Sequence, residues 1–137
     1  MTGLPSTHAS LLIRTDFTDG IAWEETKAAA LAESEDGFQA YLHVVDDVIG
    51  GEATWQDLRS ATLALEHHAA VLFIADRAAL VGDHPIRVVD LSSESRPPFR
   101  CLARELWAVD NNLNTANMDW EEFADNVEAD GIYRGFS

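Results

Sequence analysis

Short apolar runs alternate with stretches of helical spacing along this chain. Leu11-Leu12-Ile13 ends in Thr15-Asp16, the pattern of a buried strand. Thr18 or Asp19 can cap a following helix that carries Trp23, Lys27, Ala30 and Leu31, with Gly37 marking its end. Ala40 to Val45 alternates, is rich in strand formers and ends at Asp46-Asp47, and Gly50-Gly51 reads as a turn. Thr54-Trp55-Gln56-Asp57 fits a capping box, after which Trp55, Leu58, Thr62 and Leu65 share one helical face. Ala69 to Ala75 predicts a third strand ending in Asp76. Gly82-Asp83-His84-Pro85 predicts a turn, and Ile86 to Leu91 a fourth strand with Asp90 near its end.

Ser92 to Pro98 is a polar loop, and Phe99 to Leu102 a short fifth strand. The last third is helical. Leu106, Val109, Leu113 and Ala116 repeat at three and four residues, and Asp119 with Glu122 forms a second capping box ahead of Trp120, Phe123 and Val127. Gly131 to Phe136 closes the chain as a short strand. Together these predict one α/β domain over residues 10–137, with a mixed sheet of about five strands and helices packed on it. Residues 1–9 read as a flexible lead-in.

Length agrees with one domain, since 137 residues suffice for a core without metals or disulfides. The lone Cys101 excludes an internal disulfide and any paired-cysteine metal site, and as part of an apolar strand it reads as a small core residue. No apolar run approaches the roughly 20 residues of a membrane helix. Met1 to Ser10 has neither the basic start nor the apolar centre of a secretory signal. The expected compartment is the cytoplasm.

Charge adds more. There are 24 acidic residues against 9 basic ones, a formal net charge of −15, and Lys27 is the single lysine. A field of that sign repels nucleic acid and anionic membranes and attracts basic proteins and divalent cations. The competing reading is that the surplus only keeps a small protein soluble.

Candidate chemistry is sparse. Asp16, Asp46 with Asp47, Asp76 and Asp90 stand at the ends of four predicted strands; in a parallel sheet those ends share the edge where open α/β folds bind ligands, and clustered carboxylates there hold Mg²⁺. Each aspartate equally suits a turn or a helix cap. Asp110, Asn112, Asn114 and Glu121 occupy positions 1, 3, 5 and 12 of a Ca²⁺-binding helix-loop-helix motif, but Thr115 replaces the required glycine and the apolar spacing runs helix through the loop. The better reading is an amide-rich helix-to-helix corner in which Asn111, Asn112 and Asn117 satisfy backbone groups.

None of the five histidines has the spacing of a helical metal pair, and His67-His68 suits a helix end. Hydrolase elbows, phosphate loops and dinucleotide fingerprints are absent from the sequence. Trp23, Trp55, Trp107 and Trp120 fit core positions, whereas an exposed tryptophan inside an acidic rim would mark a binding hot spot.

Two segments look familiar. Glu105 to Leu113 with Ala116-Asn117-Met118-Asp119-Trp120-Glu121-Glu122-Phe123-Ala124, and Gly131-Ile132-Tyr133-Arg134-Gly135-Phe136, resemble a family of small acidic bacterial proteins known only as a domain of unknown function. The opening Leu11 to Phe17 shares the resemblance, which spans about Leu11 to Phe136. It implies a single bacterial domain, carries no activity with it, and points to the corner from Asn111 to Asp119, with Arg134, as candidate binding residues.

The expectation is a non-catalytic acidic module binding a basic protein, such as an immunity or inhibitor protein for a basic toxin or nuclease. The alternatives are a Mg²⁺-dependent enzyme or ligand-binding domain at the aspartate edge, and a Ca²⁺ corner from Asp110 to Glu121. No other cofactor is expected.

Overall fold

The computed structural model describes residues 4–47, 53–93 and 96–135. The expected Gly50-Gly51 turn, the middle of the Ser92–Pro98 loop and the end of the last strand lie outside them.

Among the described residues six strands form one sheet: β1 (Ser10–Arg14), β2 (Leu42–Val45), β3 (Val71–Ala75), β4 (Pro85–Asp90), β5 (Phe99–Leu102) and β6 (Ile132–Tyr133), in the order β2-β1-β3-β4-β5-β6. β1 runs parallel to β2 and β3, β4 is antiparallel to β3 and β5, and β6 is parallel to β5. The sheet is therefore mixed, and β4 alone of the six runs against the others. Four α-helices accompany it among the described residues: α1 (Gly20–Leu31), α2 (Trp55–Leu63), α3 (Leu106–Asn114) and α4 (Trp120–Ala124).

The chain steps from β1 outward to β2, then back past β1 to β3. Two crossovers of one hand that step in opposite directions put their helices on opposite faces. Two cores result. On one face α1, α3 and α4 cover Leu12, Phe73, Val88 and Cys101, with Trp23, Leu106 and Phe123 as the helical contributions. On the other, α2 sets Leu58 over Ile13, Leu72, Ile74 and Val89. β1 and β3 are buried on both faces, which is why their sequences are continuous apolar runs.

Local signals act where the sequence puts them. Asp19 caps α1 through the Ala22 N–H at 3.0 Å, and Thr54 with Asp57 closes the capping box of α2. At α4 the Glu122 carboxylate accepts the Asp119 N–H at 2.7 Å. Three expectations need correction. α1 stops at Leu31, and Gly37 (φ +84°) instead serves a separate turn in which Ser34 N–H donates to the Phe38 carbonyl at 2.7 Å. α2 stops at Leu63, so His67-His68 is not its last turn; the His67 ring lies tilted against His8 with centroids 4.5 Å apart. Trp23 and Trp120 fill the core, but Trp55 and Trp107 are only half buried.

Residues 4–9, read from sequence as a lead-in, lie against the domain: Leu4 belongs to the α2-side core, and Ser6 Oγ accepts from His67 N–H at 2.8 Å. No helix among the described residues is long and apolar enough to cross a membrane.

Candidate functional site

The strand-end aspartates divide. Because β4 runs against its neighbours, Asp90 lies at the opposite edge of the sheet from Asp16, Asp46, Asp47 and Asp76. Asp90 is buried; its Oδ1 accepts from the Ser92 N–H and hydroxyl and its Oδ2 from Arg96 at 3.1 Å.

The three strand ends that do share an edge are met by arginines or by their own turns. Arg14 donates to Asp46 at 3.0 Å, and the other Asp46 oxygen accepts the Trp23 indole N–H. Arg100 forks Asp76 at 2.9 and 2.7 Å, with Arg87 Nη2 at 3.5 Å. Burial pushes the Asp76 carboxyl up, but the hydrogen bonds and charge of Arg100 and the charge of Arg87 outweigh it and hold it below its ordinary value. Asp16 is lowered chiefly by the Thr18 hydroxyl and N–H that it accepts. Asp47 is exposed at the end of β2. Among the described residues no three His, Cys, Asp or Glu side chains converge as a metal set.

The Asp110–Glu121 segment is a corner between two helices. Asp110, Asn112 and Asn114 all lie on α3, and Glu121 pairs with Arg96 at 2.9 Å. Asn112 Nδ2 donates to the Ala108 carbonyl at 2.8 Å, and its Oδ1 accepts from Asn117 Nδ2 at 2.8 Å. The Asn112 carbonyl accepts the Asn117 and Met118 N–H groups, and the Asn111 carbonyl accepts from Thr115. Ala116 turns the corner at φ +56°, a conformation that favours glycine. Arg134 forks Asp130 and also reaches Glu128. Most of the binding candidates at this corner are thus committed to holding the chain's own backbone and side chains.

A different place combines charge, shape and exposed apolar surface. The turn after α1 and the start of α3 enclose a groove of about 450 Å³ lined by residues 32–36 with Arg104, Glu105 and Trp107. Phe38 stacks on Trp107, centroids 5.2 Å apart and planes within 10°, while staying 51% exposed. Three bonds centred on Ser34 fix the turn: Ser34 N–H to the Phe38 carbonyl, Gly37 N–H to the Ser34 carbonyl, and Phe38 N–H to Ser34 Oγ. Arg104 is the one cation among the lining residues and reaches Glu105 at 3.8 Å. Glu33, Glu35 and Asp36 have no cation within ion-pair reach among the described residues. The groove sets Trp107, itself stacked on the neighbouring Phe38, inside an acidic rim.

A family model described as Domain of unknown function (DUF6924) matches residues 9–136. The chain belongs to this family. None of the curated proteins compared with it matches. The earlier resemblance to a domain of unknown function thus holds over nearly the whole of the DUF6924 domain, and no activity comes with it.

Sequence reasoning passed over one polar cluster of this DUF6924 domain. Asp110 is 1% exposed and accepts from the Ser10 hydroxyl, from Asn114 Nδ2 at 2.8 Å and from the Tyr41 N–H at 2.8 Å. Asn114 also accepts the Ala70 N–H at 2.9 Å. Ser10, Tyr41 and Ala70 are at or just ahead of the starts of β1, β2 and β3, so the cluster pins α3 across three strand ends. Burial raises the Asp110 carboxyl above its ordinary value, against the three hydrogen bonds that favour its charge. The signal was present: Asp110 is four residues past Leu106 and falls on the buried stripe of α3.

Proposed function

We propose that this protein is a non-catalytic binding module whose partner is a basic protein. The groove between the α1–β2 turn and α3 carries this reading. Among the described residues no cation lies within ion-pair reach of its carboxylates Glu33, Glu35 and Asp36, so they attract a cationic side chain without first breaking an ion pair. The stacked Phe38 and Trp107 offer apolar surface, and a flat aromatic face favours a guanidinium or ammonium group placed over it. Aromatic residues surrounded by polar groups are the usual anchors of protein interfaces. The net charge of −15 speeds the encounter with a basic partner and makes it sensitive to salt. An inhibitor or immunity role towards a basic toxin or nuclease is the specific form we favour.

The Mg²⁺ reading has less behind it, because Asp46 and Asp76 are already paired with arginines and Asp90 lies at the far edge. The test is affinity capture at low and moderate salt with the parent and with the Glu33→Gln/Glu35→Gln/Asp36→Asn variant. A basic protein held at low salt, weakened at moderate salt and lost from the variant supports the reading. Retention that ignores both salt and the substitutions refutes it.

A further inference from the structure

β2 is the outermost strand on its side of the sheet. Its register with β1 runs without a break from Ser10↔Leu42 to Ile13↔Val45, so no bulge interrupts it. In a strand, the N–H and C=O of one residue point to the same side, and alternate residues point to opposite sides. The Tyr41 carbonyl accepts from Ser10 N–H at 3.1 Å, which turns residues 41, 43 and 45 towards β1. Leu42 and Val44 therefore direct their backbone groups outward, and no strand among the described residues pairs with them.

Proteins usually blunt such an edge with lysine, proline, a bulge or a covering element. The edge here reads Leu-His-Val-Val. The chain that leads into it exposes two large apolar side chains, Phe38 at 51% and Tyr41 at 68%. Leu42 and Val44 pack against the core on the α1 and α3 face, the same face on which the acidic groove lies. Backbone groups, exposed aromatics and carboxylates thus follow one another along a single stretch of chain.

We propose that β2 is a docking edge for an extended, arginine- or lysine-bearing segment of a partner protein, which adds to the sheet as a seventh strand and lays its basic side chains towards Glu33, Glu35 and Asp36. Strand addition supplies affinity through main-chain bonds, and alternate side chains supply specificity. The chemistry of the occupant rests on the acidic-module reading; the mode of pairing rests on topology alone.

The experiment is amide hydrogen exchange, read by NMR, on the full chain with an acetylated and amidated hexapeptide alternating arginine and valine. At saturating peptide, exchange at the Leu42 and Val44 amides slows at least about tenfold. The His43 and Val45 amides, which face β1, change little. Val44→Pro removes one outward N–H without touching the bonds to β1, and weakens peptide binding about tenfold.

Failure to bind, or binding that moves the Trp107 indole signal without slowing Leu42 and Val44, overturns strand addition and leaves the groove reading standing. Protection of both amides in free protein, rising with concentration and accompanied by dimer in sedimentation, overturns it in favour of a second copy at the edge. Equal protection in the Glu33→Gln/Glu35→Gln/Asp36→Asn variant with a serine-for-arginine peptide keeps the strand pairing but overturns the choice of a basic occupant, and with it the acidic-module reading.

Discussion

Asp110→Asn tests the buried pin that holds α3 to the sheet. The carboxylate receives three donors: the Ser10 hydroxyl and Asn114 Nδ2 on Oδ1, and the Tyr41 N–H on Oδ2. Asparagine offers one oxygen. Turned towards Ser10 and Asn114, it sets its own NH₂ against the Tyr41 N–H; turned the other way, it sets NH₂ against the Asn114 amide. One part-buried donor loses its acceptor in either orientation, at a cost of about 1–2 kcal/mol.

The substitution also removes a charge that burial disfavours, and this second effect depends on pH. No cation among the described residues pairs with Asp110, and its native carboxyl titrates above the ordinary value of 3.8. Between the unfolded and native values the folded chain binds more protons than the unfolded one. The contribution of Asp110 to stability is therefore full below the unfolded value and declines as pH rises through the native one. Asparagine does not titrate, so the difference between parent and variant is largest on the acid side and shrinks with rising pH.

Urea unfolding followed by tryptophan fluorescence measures it at several pH values from about 4, close to the ordinary carboxylate value, up to about 8. With a urea slope of about 2 kcal/mol per molar, a 2 kcal/mol loss moves the midpoint by about 1 M. A difference that is flat with pH, or that grows towards alkaline pH, refutes the account of Asp110 as a carboxylate whose charge the fold disfavours.

Other outcomes follow from the same structure. Ala116→Gly relieves the left-handed turn after α3 and raises stability by about 0.5–1 kcal/mol in thermal unfolding. Arg100→Met leaves the Asp76 carboxylate, 24% exposed, without its fork and costs about 2 kcal/mol at neutral pH. Because the parent Asp76 titrates below its ordinary value, its contribution is present above the unfolded value and lost as pH falls through the native one; the variant's stability then falls less steeply in acid, as unfolding midpoints across the acid range would show. Leu58→Ala empties the centre of the α2-side core, where Leu58 is 0% exposed, and costs about 2–5 kcal/mol in urea. Cys101 is fully buried with its thiol pushed well up, so a thiol reagent modifies it only in molecules that have opened, and slower than an exposed thiol by their fraction.

Much of the fold was legible because local rules govern it. β1 and β3 announce themselves as apolar runs since both of their faces are covered, and Asp19 and Thr54 mark helix starts because their side-chain oxygens reach free N–H groups within one turn, as the Glu122 carboxylate reaches the Asp119 N–H at α4. The end of α1 was misread at Gly37 because a glycine with positive φ serves a helix end and a separate turn equally well. The groove was foreseen only as a type, a tryptophan inside an acidic rim. That Trp107 fills this role while Trp23 and Trp120 are buried depends on which helix lies over which strand.

By itself, then, the sequence determined the elements, their caps, the mixed α/β class and the sign of the surface charge, all set by neighbours along the chain. The tertiary structure decided which charges meet. The reversal of β4 carries Asp90 to the far edge of the sheet, α3 folds Asp110 across a hundred residues onto Ser10, and the turn after α1 brings Glu33, Glu35 and Asp36 to Trp107. Strand direction and helix placement come from burying two apolar faces at once, and that constraint is not written in any one segment.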